Sequence, residues 1–88
     1  MSVETVDLSR QARIVVNRLR EKDPGRDVAI DIEPDMIAEG DRRLLGLALE
    51  NLIDNAWKYT RRTEKPAISF SRLRGAGGDV VFVVSDNG

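Results

Sequence analysis

The chain has 88 residues, which is enough for one small domain. It is 41% hydrophobic and 33% charged, as folded globular proteins are, and its net charge of −1 gives no reason to expect a nucleic acid partner. The absence of cysteine excludes a disulfide framework and a cysteine-based metal site. No apolar run is long enough to cross a membrane, and no signal-peptide core is present. We therefore expect a cytoplasmic domain, whose parent protein could be anchored in a membrane through other segments.

The first part of the chain predicts a single helix. Residues 1–6 show no pattern and predict an irregular opening segment, after which Asp7 can cap a helix over 7–21. Apolar residues recur along this helix at three- and four-residue spacing: Leu8, Ala12, Val15 and Leu19. Pro24 and Gly25 cannot continue a helix, so the chain must turn there.

Three segments predict β-structure. Residues 27–33 alternate between apolar and polar side chains, which is typical of a half-buried strand, and residues 36–38 predict a short paired strand. Residues 67–85 predict a hairpin around the glycine-rich turn at 75–79, which lacks the Lys-Ser/Thr and the helix of a phosphate loop. The run of valine and phenylalanine at 80–84 is typical of a strand buried on both faces.

One long helix is predicted over 41–60, with Asp41 as its N-cap. Its apolar residues predict one buried face: Leu45, Ala48, Leu49, Leu52, Ile53 and Ala56. Asn51, Asn55 and Lys58 form a polar stripe beside that face. Asn is a poor residue in a helix interior, and two amide oxygens with a cation suit a magnesium-bound phosphate. From spacing alone, a solvated helix face remains an equal alternative.

The wider strings around these residues resemble a known family. Residues 51–60, NLIDNAWKYT, closely resemble the asparagine box of sensor histidine kinases, which belong to the gyrase and histidine kinase ATPase superfamily. Residues 84–88, VSDNG, resemble the start of that family's first glycine box, D-x-G-x-G. The resemblance implies an α+β fold, a two-layer α/β sandwich of the Bergerat type with helices on one face of a mixed sheet. It implies that this chain is the N-terminal part of that ATP-binding domain.

The resemblance also implies roles for the residues of the asparagine box. Asn55 resembles the magnesium ligand, Lys58 the phosphate-contacting lysine, and Tyr59 the residue that packs near the nucleotide, although a core position for Tyr59 is an equal alternative. Asn51 stands where gyrase-like relatives carry a general-base Glu. An amide cannot accept a proton near neutral pH, so as a catalytic residue Asn51 could only orient a group or bind the metal region. This departure favours a kinase over an ATP hydrolase.

The glycine box supplies two further candidates. Asp86 resembles the aspartate that accepts a hydrogen bond from the adenine amino group, which would select ATP over GTP, while the alternative is a turn aspartate. Gly88 resembles the first glycine of the box, where the backbone approaches the ligand closely. Two neighbours on the helix are expected to lie outside the site. Glu50, about 100° round the helix from Asn51, should be solvated or salt-bridged, and Trp57 should pack or be partly exposed.

The resemblance implies ATP and Mg²⁺ as ligands and, for the parent protein, transfer of the ATP γ-phosphate to a histidine. The sequence contains no histidine, so the phosphoacceptor domain must be a partner outside this chain, and the resemblance implies a response regulator as a further partner. The later parts of the family's site are missing from this sequence, so the chain alone should be inactive. Two alternatives stay open: an ATP hydrolase or anti-sigma-type kinase of the same superfamily, and a non-catalytic interaction module that no longer binds nucleotide. An open valine-rich strand would also favour self-association.

Overall fold

The computed structural model describes residues 3–88, which form two helices and five strands. In chain order these are β1 (Glu4–Asp7), α1 (Leu8–Lys22), β2 (Ala29–Ile32), β3 (Ile37–Gly40), α2 (Arg42–Tyr59), β4 (Ala67–Arg74) and β5 (Val80–Asp86). A mixed sheet has the order β2-β4-β5, with β2 parallel and β5 antiparallel to β4, and β1 pairs separately with β3. The architecture is the expected α+β one.

Both helices begin at the predicted aspartates. The Oδ1 atom of Asp7 accepts a hydrogen bond of 3.1 Å from the amide three residues later. The Oδ1 atom of Asp41 accepts bonds of 2.9 and 3.2 Å from the amides two and three residues later. Each carboxylate therefore serves amides that have no partner inside the first turn. The helices differ by one residue at each end from the predicted spans 7–21 and 41–60. Neither helix of the described chain combines the length and apolarity that a membrane span requires.

The opening segment differs from the prediction. Of the residues predicted to be irregular, Glu4 to Val6 belong to β1, which pairs antiparallel with β3, while Met1 and Ser2 lie outside the described residues. The prediction of a short strand near 36–38 is confirmed in β3, whose partner the sequence did not indicate. The physical reason is that β1 has four residues and only Val6 among them is buried, so no alternation is visible before the partner is known.

One core lies between the helices and the sheet. Its buried residues come from β1, both helices, β4 and the β2–β3 turn: Val6, Leu8, Ala12, Val15, Val16, Met36, Leu49, Ile53 and Phe70. A smaller cluster lies at the C-terminal end of α2 and consists of Val28, Ala56, Trp57 and Ile68. The parallel register pairs Ile30 with Ile68 and Ile32 with Phe70, so alternate side chains of β2 and β4 share the helix-facing side. This confirms the half-buried character of β2.

The predicted hairpin is present, but its second strand is less buried than predicted. The Gly75 amide donates to the Asp79 carbonyl at 2.7 Å and closes the glycine turn. Val80 and Val81 are 46% and 49% exposed, and residues 82–84 are only partly buried. The reason is that both helices pack on one face of the sheet, so within residues 3–88 the other face of β5 is open, and β5 is also an edge strand. Self-association through this edge stays a prediction, and a strict monomer in light scattering at high concentration would contradict it.

Candidate functional site

Helix α2 packs on the sheet through a narrow side. The inner side of α2, defined here as Leu49, Ile53, Ala56 and Trp57, is at most 4% exposed. The sequence predicts a wider buried face that includes Ala48 and Leu52, and this is wrong, because both are exposed, Leu52 by 50%. At about 100° per residue these two side chains lie on the flank that turns away from the sheet.

The predicted polar stripe lies on the outer side of α2. Asn51, Asn55 and Lys58 are all exposed, and the helical repeat places them opposite the inner side rather than beside it. Three leucines that are at least half exposed surround the two asparagines: Leu44, Leu47 and Leu52. Exposed leucines and polar side chains therefore share the outer side of α2.

Three residues next to the polar stripe differ in exposure and contacts: Tyr59, Trp57 and Glu50. Tyr59 is 68% exposed, so the alternative of a core position is not observed. Trp57 is 4% exposed and packs inward, away from the asparagines, as expected. Glu50 forms an ion pair with Arg18, with Oε1 and Nη1 3.6 Å apart. The prediction of a solvated or salt-bridged Glu50 is therefore confirmed.

The end of β5 meets the end of α2. Gly88 lies so close to Tyr59 that a Cβ atom on the glycine would collide with the Tyr59 carbonyl oxygen and stand 2.7 Å from the carbonyl carbon. The obstacle is backbone, which cannot swing aside as a flexible side chain can. Only glycine fits this position without moving one of the two elements. The sequence predicts a close approach of Gly88 to a ligand, and the structure adds a close approach to the helix.

Asp86 lies two residues before this contact. It pairs with Ile68 across the hairpin, and the Ile68 side chain is buried, so both side chains leave the sheet on the helix-facing side. Asp86 itself is exposed, and its Oδ1 accepts a hydrogen bond of 3.0 Å from the Gly88 amide. Such a bond from an aspartate to the amide two residues later is an Asx turn, which engages one of the two carboxylate oxygens.

The structure brings part of the predicted set together. Gly88 touches Tyr59, Asp86 is two residues away along the chain, and Asn55 precedes Tyr59 by four helical residues, or about 6 Å along the axis. Asn51 is one further turn away. A cavity of about 390 Å³ borders Asp86, but strand residues and Asn87 form its walls, and no residue of α2 lines it. The asparagines and Asp86 are thus connected through the contact of Gly88 with Tyr59, and they do not share that cavity.

The donor atoms on α2 suit one kind of metal binding. Within residues 3–88 no group of three or more His, Cys, Asp or Glu side chains could hold a metal ion. Magnesium keeps water and phosphate oxygens in its shell and needs few protein ligands. The exposed carboxamide of Asn55 therefore fits a magnesium ion that arrives with phosphates, and the region does not fit an ion held by protein atoms alone.

Arg26 anchors the end of α2, which the sequence did not indicate. Its Nη1 donates to the Trp57 carbonyl at 2.7 Å, its Nη2 donates to the Thr60 hydroxyl at 3.1 Å, and its Cζ lies 4.7 Å from the centre of the Trp57 ring. Thr60 is fully buried, and its hydroxyl donates to the Ala56 carbonyl at 2.9 Å. No local pattern points to this contact, because Arg26 and Trp57 are 31 residues apart.

Comparison with known proteins bears on the fold. No protein-family model matches the chain, and no curated protein matches it. Among solved structures, a mycobacterial sensor histidine kinase, MprB, has a TM-score of 0.70 and 22% sequence identity with this chain. The match covers 99% of this chain and 56% of that one, so this chain spans little more than half of the matched structure. The likeness shows that the two share a fold.

Proposed function

We propose that the chain is the N-terminal part of the ATP-binding domain of a sensor histidine kinase. In this proposal magnesium–ATP binds on the outer side of α2, beside the end of β5. The shared fold with MprB supports the class of protein. The observation that carries the proposal is the contact of Gly88 with Tyr59, because it joins the strand that ends in the glycine-box motif to the helix of the asparagine-box motif.

Four residues of α2 would contribute to the nucleotide site. The carboxamide oxygen of Asn55 would be the protein ligand of Mg²⁺, and the ammonium group of Lys58 would contact phosphate oxygens. Tyr59 presents an exposed ring for packing near the nucleotide. Asn51 cannot take a proton near neutral pH, so it would orient a group without activating water. Holding phosphates without activating water suits transfer to a protein side chain over hydrolysis.

The end of β5 would read the base. The carboxylate oxygen of Asp86 that the Asx turn leaves free can accept from the adenine amino group, and Gly88 keeps the backbone close to the helix end. ATP supplies the γ-phosphate that is transferred. The sequence contains no histidine, so the acceptor histidine domain and the response regulator would be partners outside this chain.

Calorimetry with magnesium–ATP tests the proposal. It should be run on this chain and on a version that continues through the residues following Gly88 in the parent gene, since the matched structure is longer. Asn55→Ala should weaken binding at least tenfold, which corresponds to about 1.4 kcal/mol. Asn17→Ala, an exposed asparagine on α1, is the matched control and should bind like the parent. Equal affinity in the two variants, or no binding in either length, would contradict the proposal.

Base selection gives an independent test of Asp86. Asp86→Asn keeps an oxygen for the Asx turn but adds an amide donor that can meet the guanine carbonyl. We expect the preference for ATP over GTP to fall by about tenfold, the cost of one mismatched hydrogen bond. Asp79→Asn, in the turn that precedes β5, should leave the preference unchanged. A preference that survives in Asp86→Asn would remove Asp86 from the base site.

A non-catalytic interaction module is the second candidate. The half-exposed leucines of the outer side of α2 favour it, because exposed apolar patches commonly mark protein-binding surfaces. No heat with magnesium–ATP and no competition by ADP would leave this candidate in place. Release of inorganic phosphate without a protein acceptor would instead point to an ATP hydrolase.

A further inference from the structure

The α1–β2 connection reaches the proposed site through one side chain. Arg26 lies in this connection, and its own amide donates to the Asp23 carbonyl at 3.2 Å, which holds the segment in a turn. From there the guanidinium crosses to the last turn of α2 and makes the two hydrogen bonds to Trp57 and Thr60. The Arg26 side chain therefore links the connection to the end of the helix.

The two residues that accept hydrogen bonds from Arg26 flank, along the chain, the two residues proposed to contact the nucleotide. Lys58 and Tyr59 lie between Trp57, whose carbonyl takes the first bond, and Thr60, whose hydroxyl takes the second. Thr60 is fully buried, whereas Lys58 and Tyr59 are exposed. Arg26 thus holds the last turn of α2 from its buried side, while Lys58 and Tyr59 of the same turn face solvent.

Arg26 also replaces a missing backbone donor. In a continuing helix the Trp57 carbonyl would accept from the Arg61 amide, but that amide donates to the Lys58 carbonyl at 3.2 Å, because the last turn tightens. The Trp57 carbonyl instead accepts from the Arg26 side chain at 2.7 Å. A cation at this place also opposes the negative end of the helix dipole.

We propose that Arg26 is a positioning residue for the nucleotide site: it closes the last turn of α2 in the one conformation that presents Lys58 and Tyr59 and seats the end of β5 against the Tyr59 backbone. This inference rests on the proposed function. Arg26 itself does not contact the nucleotide and acts through Trp57 and Thr60. Lysine cannot replace it fully, because an ammonium group lacks the planar fork that reaches two acceptors while stacking on an indole ring.

Three variants test the proposal in the version of the chain that binds magnesium–ATP. Arg26→Gln should raise the dissociation constant about tenfold, and Arg26→Lys should raise it by a smaller factor of about three. Arg20→Gln removes the same charge from a guanidinium whose hydrogen bond to the Val28 carbonyl, at 3.4 Å, is long. This control should bind nucleotide as the parent does.

Two readouts without nucleotide separate positioning from general loss of stability. Trp57 is the only tryptophan and is buried, so its emission in Arg26→Gln should move to longer wavelength while the circular dichroism stays unchanged. Hydrogen exchange of the Thr60 and Arg61 amides, which close the last turn, should become faster, while exchange in α1 stays as in the parent.

The outcomes are distinct. A parent chain that binds magnesium–ATP together with an Arg26→Gln variant of unchanged affinity would overturn the role of Arg26 alone. Unchanged exchange at Thr60 and Arg61 would overturn it as well. If Arg26→Gln does not fold, Arg26→Lys decides: an affinity equal to that of the parent overturns the proposal, and a weaker affinity in a folded variant supports it. A parent chain that binds no nucleotide in either length would instead overturn the proposed function, and the nucleotide role of Arg26 with it.

Discussion

The two sides of α2 carry similar apolar residues and have different fates. The inner side is almost fully buried, while Leu44, Leu47 and Leu52 on the outer side are half exposed or more. The difference arises because a three-stranded sheet covers one narrow strip of a helix, whatever the helix offers on its flanks. Folding of residues 3–88 therefore does not use the outer leucines. Apolar residues that the fold leaves in solvent beside two asparagines are better explained by binding than by stability.

The largest expected effect compares neighbouring residues on the two sides. Ile53→Ala empties a position that is 1% exposed and should lower the free energy of unfolding by about 2–5 kcal/mol. Leu52→Ala removes a side chain that is 50% exposed and should change it by less than about 0.5 kcal/mol. Denaturation in urea measures both. Similar costs for the two variants would mean that the outer side is covered in solution.

The second prediction concerns the contact that joins helix and strand. Gly88→Ala puts a Cβ against the Tyr59 backbone, so the end of β5 must move away from α2. Because Gly88 is exposed and belongs to neither core cluster, we expect the effect in nucleotide affinity, with a loss of about tenfold, or 1.4 kcal/mol. Gly25→Ala, whose Cβ would meet nothing within 4 Å, is the control. Unchanged affinity in Gly88→Ala would show that nucleotide binding does not depend on the contact between Gly88 and Tyr59.

Local signals in the sequence predicted both helices and the hairpin, but not β1. Asp7 and Asp41 cap their helices as their side chains allow, and the glycine turn closes the hairpin, because each depends on residues only a few positions apart. The exposure of Asn51 and Asn55 also follows from helical spacing. Their position opposite the inner side does not, since the width of the buried strip depends on the sheet.

Contacts between distant residues could not be predicted in the same way. Ser9 is buried and joins α1 to the β2–β3 turn: its hydroxyl donates to the Glu33 carbonyl at 2.7 Å and accepts from the Met36 amide at 2.9 Å. The contacts of Arg26 with the end of α2 and the close approach of Gly88 to Tyr59 also join residues that are far apart in the sequence. The partners in these contacts can be identified only from the tertiary structure, because the periodicity of apolar residues reports local secondary structure and not long-range contacts.

A smaller, stabilising effect is expected near the start of α2. Gly46 lies within the helix, and a Cβ added there would meet nothing within 4 Å. Glycine in a helix interior costs about 0.8–1 kcal/mol relative to alanine, so Gly46→Ala should raise the free energy of unfolding by about 0.5–1 kcal/mol. Thermal unfolding measures the gain. A loss of stability would show that other atoms fill the space that the structure leaves open at Gly46.

The smallest effect concerns Glu50, on the flank between the two sides. Its ion pair with Arg18 joins α2 to α1, but the two side chains are 45% and 54% exposed, so water and salt screen the attraction. Glu50→Gln should cost less than about 0.5 kcal/mol, and the cost should vanish at high salt. In the version of the chain that continues beyond Gly88, nucleotide binding should not change, because Glu50 points about 100° away from Asn51. If that version releases inorganic phosphate from ATP without a protein acceptor, and a folded Glu50→Gln variant loses this release, the carboxylate would have the general-base role that Asn51 cannot fill, and the hydrolase alternative would then displace the kinase.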